Sequence, residues 1–435
     1  MNSRNISNII NRLEKHGLNI KINDQKININ IDFKKNILKK IKPLLYLLLN
    51  KFENSYLIYI NNLPYCLMPD AANHLIFPGE NKAEFRKTRY CRKCKYNKSC
   101  PGWPQALRNS KTLHARPIRN LPREVVIEVT QKCNSNCQIC FSDKNNKILA
   151  LSKIKLIIDE CADLGIKTIR FTGGEPLLYD KIDEALRYAK SKNLYTILNT
   201  NATIFDKKIE KTIQNYVDNV LISLQGFNPG SEKKLTNNKY DFHRKLQNIT
   251  RLQSLIPTIR IGTVISNTLI DNYDKYYYLI RKLGVKHWEV YRPMTGITQK
   301  EFQISRLQLS QIVSAFAKIK KSGFDIKIAN AVPFCIAKNP AVSSYVLLGA
   351  EADDGHSRMI FDARGFFKPS YFIGDNIGTN IEKAWKSNLL KKMRSLRYLP
   401  EKCGSCFYLK WCKGGSRYWA KLENKSYFAP DPLMS

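Results

Sequence analysis

The chain has 435 residues, 43% of them hydrophobic and 25% charged, a composition that allows two or three folded cores and excludes a disordered polymer. Lys and Arg number 72 against 36 acidic residues. The resulting charge of +36 would suit a polyanion such as RNA, but it is spread along the chain with no tract of interleaved basic and aromatic residues. No apolar run approaches the roughly 20 residues of a membrane-spanning helix, and the amino-terminal pattern is helical rather than signal-like, which predicts a cytoplasmic protein without membrane insertion.

In chain order, residues 1–62 predict an α+β module: the helix MNSRNISNIINRLEKHG, the strands INIDF and SYLIYIN, and a helix around KKNILKKIKPLLYLLL. Residues 63–118 carry LPYC and CRKCKYNKSC, which place Cys66, Cys91, Cys94 and Cys100 in one cysteine-rich lobe. KTLHARPIRNLP, Lys111 to Pro122, reads as a linker. Residues 119–324 alternate strand and helix six times, from EVVIEVT through TIRFTGGEP, YTILNTN, NVLISLQG and RIGTVIS to KHWEVYRP. Such alternation predicts parallel strands with right-handed crossovers, hence an α/β partial (β/α)6 TIM-like barrel open at one side. Residues 325–435 repeat the cysteine pattern of the first lobe, with VPFC at Cys335 and CGSCFYLKWC at Cys403, Cys406 and Cys412.

Cysteine usage points to chemistry. Disulfide-stapled secreted proteins are small, so in a chain of this size reduced thiolates binding metal fit better. CNSNCQIC follows the first barrel strand and offers three thiolates, Cys133, Cys137 and Cys140, without a fourth. Iron-sulfur clusters usually take four cysteines, so a three-cysteine set leaves one iron open to a substrate or cofactor. Each outer group supplies four thiols, which suits an iron-sulfur cluster or tetrahedral zinc. Cys161 sits in a helical pattern and reads as core.

In a barrel of this type the chemistry gathers at the carboxyl ends of the strands. The triplet, then Gly173, Gly174, Glu175 and Pro176, then Asn199 and Asn201, then Ser223 and Gln225 all fall there. Arg260, Thr263 and Arg292 extend the series. GGEP alone would be a tight turn; beside an open iron site, its glycines permit close approach and Glu175 can pair with an ammonium. The loop AEADDGHSR, ending at Arg358, is either a solvated turn or a substrate clamp.

CNSNCQICF and FTGGEP in consecutive βα units resemble the radical S-adenosylmethionine enzymes, over close to half the chain. The resemblance implies a catalytic 4Fe-4S cluster on Cys133, Cys137 and Cys140, its open iron chelated by S-adenosylmethionine. It further places GGEP at the methionyl amine, and Ser223, Asn201 and Arg260 near the cofactor's ribose and carboxylate. Gln225 departs from the Asp common in relatives. One-electron reduction would release a 5′-deoxyadenosyl radical that abstracts hydrogen. The carboxyl-terminal piece resembles SPASM or twitch domains, although Ser370 and Ser416 replace cysteines of the full pattern. That resemblance implies an auxiliary cluster on Cys403, Cys406 and Cys412; only the repeat with Cys66 points to Cys335 as its fourth ligand, with another group or the substrate as the alternative. The repeat suggests a further cluster on Cys66, Cys91, Cys94 and Cys100, where zinc is the alternative. The expected activity is oxidative modification of a peptide, ahead of a tetrapyrrole or other cofactor precursor and of RNA, with a flavodoxin- or ferredoxin-type electron donor. A protein that only relays electrons or acts as a scaffold is the reading from another class.

Overall fold

The computed structural model describes residues 3–23, 26–31, 37–52, 57–77, 85–107, 118–142, 145–238, 241–294 and 299–434. Most of the expected linker, residues 111–117, lies outside them. The chain divides into two compact units, Met1–Asn120 and Leu121–Ser435.

In the first unit, helices Ser3–Glu14 and Ile37–Phe52 accompany a sheet of four strands, β1 (Asn19–Asn23), β2 (Lys26–Asn30), β3 (Leu57–Asn61) and β4 (Leu75–Ile76), in that spatial order. β1 and β2 are antiparallel, and β3 and β4 add in parallel. KININ alternates apolar and polar residues, so Ile27 and Ile29 share one fully buried face. Ile41, Leu44, Leu45, Leu48 and Leu49 recur at helical spacing and are buried with them. The same core takes in Leu63, Leu67, Met68, Leu75, Trp103 and Leu107, so the segments 1–62 and 63–118 share one interior instead of forming two pieces. β5 (Phe85–Arg86) pairs antiparallel with β6 (Trp103–Pro104) and closes the loop that bears Cys91, Cys94 and Cys100. Gly102 makes that closure possible: its φ is +122°, and a Cβ there would lie 2.4 Å from the Arg86 carbonyl oxygen.

The second unit is built on nine strands. They are β7 (Glu124–Thr130), β8 (Thr168–Gly173), β9 (Tyr195–Thr200), β10 (Asn219–Ser223), β11 (Thr258–Val264), β12 (His287–Tyr291), β13 (Asp325–Ile328), β14 (Arg358–Phe361) and β15 (Phe367–Lys368). Their spatial order is β13-β12-β11-β10-β9-β8-β7-β14-β15. Pairing is parallel from β13 through β7 to β14, and only β15 runs antiparallel. β7 is buried on both faces, as a near-continuous apolar run in a helix-covered parallel sheet should be.

The six strands read from sequence appear as β7 to β12. The sheet does not end there. β13 extends one edge and β14 the other, so the expected boundary at residue 325 runs through the sheet itself. β13 is four residues long and β14 pairs with a strand far earlier in the chain, and neither feature leaves a local repeat to read.

Candidate active site

A cavity of about 270 Å³ lies within the second unit. Cys133, Cys137 and Cys140 line it together with Gly173, Gly174 and Glu175 from the end of β8. Asn199 in β9 and Asn201 just after it, with Ser223 at the end of β10 and Gln225 just beyond, complete that wall. The strand ends thus bring together most of the residues expected at the site.

The triplet loop is pinned by side chains from its neighbours. Asn201 donates to Asn134 Oδ1 at 2.8 Å and to Ser135 Oγ at 3.2 Å, and Asn134 donates to Thr203 Oγ1 at 2.8 Å. From further along the chain, Asn238 donates to Ser135 Oγ at 2.6 Å and accepts from the Asn136 amide at 3.3 Å. Sequence reading missed Thr203 and Asn238, because a polar residue in a loop carries no periodic signal.

The two glycines of GGEP serve backbone contact. A Cβ on Gly173, whose φ is +148°, would meet Thr130 O at 2.1 Å, and one on Gly174 would meet Lys132 O at 2.2 Å. They let β8 close against the segment that leads into Cys133. Glu175 is 1% exposed and its carboxylate is already well engaged, accepting from the Leu177 amide at 3.1 Å, Thr200 Oγ1 at 2.8 Å and the Asn201 amide at 2.8 Å. Burial raises its pKa, against those hydrogen bonds. Glu175 therefore braces the Asn201 turn, a structural duty that the ammonium-pairing expectation did not include. Pro176 opens the 3₁₀ turn Pro176–Leu178 and is buried.

Gln225 stands in the departure from the family pattern and knits that loop. Its Nε2 donates to Ser223 Oγ at 2.8 Å and its Oε1 accepts from the Val264 amide at 2.9 Å. Below it, Glu232 accepts from the Gln225 and Gly226 amides at 2.8 and 2.5 Å and pairs with Lys245 at 2.6 Å, both side chains almost fully buried. Arg260, expected near the cofactor, bonds to partners within the sheet. It is not among the cavity-lining residues; its guanidinium donates to Asn219 and Glu289, each at 2.8 Å, between β10 and β12. Burial would raise the Glu289 pKa, but Arg260 and Lys327 outweigh it and bring it to about 2.

The carboxyl-terminal residues contribute more than cysteines. Asp353, Arg358, Tyr371 and Phe372 line the same cavity, as do Asn330 and Arg292. AEADDGHSR is thus no solvated turn: Asp353 and Asp354 are buried, Asp353 accepts from the Ala331 amide at 3.0 Å, and Asp354 accepts from the Arg417 amide at 3.0 Å. Arg292 makes a buried ion pair with Asp431 at 2.8 Å and stacks on Trp419.

Of the outer cysteines, Cys66, Cys91, Cys94 and Cys100 line one small cavity of about 20 Å³ in the first unit. The Cys335 and Cys406 thiols lie near enough to Cys403 to add to the upward pull of burial on its pKa. Cys412 accepts from the Phe334 amide at 3.4 Å, and burial pushes its thiol up to about 11. Cys161 is fully buried in the core. Among the described residues, no three His, Cys, Asp or Glu side chains are drawn close enough to ligate a single metal ion. Nor is any described helix long and apolar enough to cross a membrane.

Residues 127–286 match the Radical SAM superfamily model. The chain carries a radical S-adenosylmethionine domain, and the triplet, the GGEP turn and the Ser223 loop all lie inside that stretch. It is similar to the AdoMet-dependent heme synthase of Methanosarcina barkeri, 25% identical in an alignment of 338 positions that covers 72% of this chain and 97% of that protein. It is also similar to the Fe-coproporphyrin III synthase of the same organism, 20% identical over 71% of this chain and 86% of that protein. Among solved structures, Streptococcus suis SuiB bound to precursor peptide SuiA shares the fold, with a TM-score of 0.59 at 18% identity over 73% of this chain and 77% of that one.

The donor set fits the cluster and cofactor that the superfamily implies. Three thiols on one braced loop open into a cavity that also presents hydroxyl, amide and backbone groups at the neighbouring strand ends.

Proposed function

We propose that this chain is a radical enzyme that cleaves S-adenosylmethionine reductively and abstracts hydrogen from a bound substrate. The observation that carries it is the convergence of Cys133, Cys137, Cys140, Glu175, Asn201 and Ser223 on one cavity. A 4Fe-4S cluster and S-adenosylmethionine held there would supply the low-potential electron and the hydrogen-abstracting radical. The chain's own part is positional. Asn201, Thr203 and Asn238 fix the cysteine loop, Gly173 and Gly174 seat it against β8, and Ser223 and Asn201 offer polar contacts to the cofactor. Ile139, Phe141, Leu221, Val264 and Met294 give the cavity apolar wall that keeps quenching groups from the reacting carbon.

For the substrate, likeness to heme and coproporphyrin synthases over most of their length supports a tetrapyrrole or similar cofactor precursor. A peptide, ranked first from sequence, is the second reading and draws support from the fold shared with peptide-bound SuiB. The two outer cysteine groups are proposed as auxiliary 4Fe-4S sites that take up electrons in a net oxidation, with zinc as the alternative at Cys66, Cys91, Cys94 and Cys100. A flavodoxin- or ferredoxin-type protein would deliver the initial electron.

The test is formation of 5′-deoxyadenosine by the anaerobically reconstituted, reduced chain. Its absence from a fully loaded protein would leave the electron-relay reading standing instead.

A further inference from the structure

The cavity has a second polar surface away from the cofactor wall. Arg358 opens β14 and lies in register with Glu124 at the start of β7, so its backbone stands at the amino end of the sheet while the cysteine triplet stands at the other. Tyr371 links the two ends. Its ring lies 5.3 Å from the Arg358 guanidinium and 4.9 Å from the ring of Phe141, the residue that follows Cys140.

Donors outnumber acceptors here. Arg170 uses both oxygens of Glu124, at 2.6 and 3.2 Å, and gives a third hydrogen bond to Asn199 at 3.0 Å. Arg358 is left with Asp353 at 3.5 Å and with a Glu124 oxygen at 4.0 Å, neither a well-formed hydrogen bond. The other oxygen of Asp353 is held by the Ala331 amide. The Tyr371 hydroxyl oxygen is buried and has no hydrogen-bond partner among the described residues. Arg358 and Tyr371 both line the cavity, and a planar guanidinium fork beside an unmatched phenol asks for an acceptor-only group with two oxygens.

We infer that Arg358 and the Tyr371 hydroxyl anchor a carboxylate of the substrate, so that the enzyme acts on an acid held by that group. This rests on the radical-enzyme reading of the cavity and supplies the substrate's chemical class. A carboxylated macrocycle and an acidic peptide side chain share the chemistry, and the experiment separates them.

Equilibrium binding to the cluster-loaded full chain is measured with two matched pairs: iron coproporphyrin III against its tetramethyl ester, and a glutamate-containing peptide against its glutamine counterpart. In at least one pair the acid should bind about tenfold or more tightly than its neutral partner, a difference of about 1.4 kcal/mol. The pair that shows the preference identifies the source. Arg358→Gln should abolish the preference by weakening the acid alone, Arg358→Lys should retain part of it, and Tyr371→Phe, which removes a hydroxyl with no hydrogen-bond partner among the described residues, should reduce it about threefold.

No acid preference in either pair, including no binding at all, overturns the inference. So does a preference that survives Arg358→Gln, or a variant in which acid and neutral forms weaken together. Formation of 5′-deoxyadenosine by the unaltered chain is scored separately, so failure of the radical reading and failure of the carboxylate anchor give different results.

Discussion

From Cys133 to Cys140 the chain is pinned from outside, by Asn201 and Thr203 on the turn after β9 and by Asn238 from a second segment. From Thr88 to Cys100 it is held mainly by its own backbone, in turns such as Cys94 N to Cys91 O at 3.0 Å and Cys100 N to Tyr96 O at 2.8 Å, with Lys87 donating to the Asn97 and Cys100 carbonyls. None of residues 86–101 is buried. A loop that buries little beyond Tyr96 stacked on Tyr65 gains little from the hydrophobic effect, so under the proposed function a group bound by its thiols would supply much of its stability. The difference suggests a division of labour: a preorganised loop whose cysteines do chemistry, and a self-contained loop whose cysteines fasten structure or store electrons.

The sharpest way to break that comparison is to remove one thiol from each loop. Cys137→Ala should abolish 5′-deoxyadenosine formation, a fall of more than about a hundredfold, whereas Cys94→Ala should leave cofactor cleavage measurable and lower only the metal content. Equal loss of cleavage in both, by chromatography of the nucleoside product, would erase the distinction.

Next in size is the support beneath the central loop. Glu232→Ala removes the carboxylate that pairs with buried Lys245 and releases the Gln225 and Gly226 amides. The helix Pro229–Thr236 leads directly to Asn238, so the damage should reach the triplet. The expected cost is about 3–5 kcal/mol in denaturant unfolding of the second unit.

Glu175→Gln tests the same bracing more gently. It replaces one of the two acceptor oxygens shared by Leu177, Thr200 and Asn201, and should cost about 1–3 kcal/mol in the same assay. It should also weaken S-adenosylmethionine binding through displacement of Asn201.

The smallest expected effect is local. Anaerobic chelation should expose residues 87–101 to limited proteolysis while the cleavage pattern of residues 121–294 stays unchanged, because the triplet loop keeps its side-chain tethers without metal. Simultaneous nicking of both loops, seen by mass spectrometry of the fragments, would count against the comparison.

Much of this was legible early. The six βα units, the three-thiol loop and the turn at GGEP announce themselves through local periodicity and spacing, and Cys161 reads as core from its helical stripe. The four-thiol set in the first unit was also readable from its pattern, and the structure brings those residues to one cavity. The direction of a side chain was not legible in this way. Arg260 sits in a strand that ends at the site, and the sequence does not say which way its guanidinium turns; Glu289 decides it.

Sequence by itself therefore determined the alternation of strands and helices, the open three-cysteine set and the cysteine-rich outer groups, because each is written in short-range spacing that backbone geometry converts directly into structure. Tertiary structure alone decided that β13 and β14 extend the sheet, that Glu175 is engaged by its own fold, and that Tyr371 meets both Arg358 and Phe141 at the cavity. Those outcomes depend on partners far apart in the chain, such as Glu124 with Arg170, 46 residues on, and Arg292 with Asp431, 139 residues on. Such pairs form only where packing has already brought their elements together, and burial then makes each unmatched donor or charge costly enough to fix its direction.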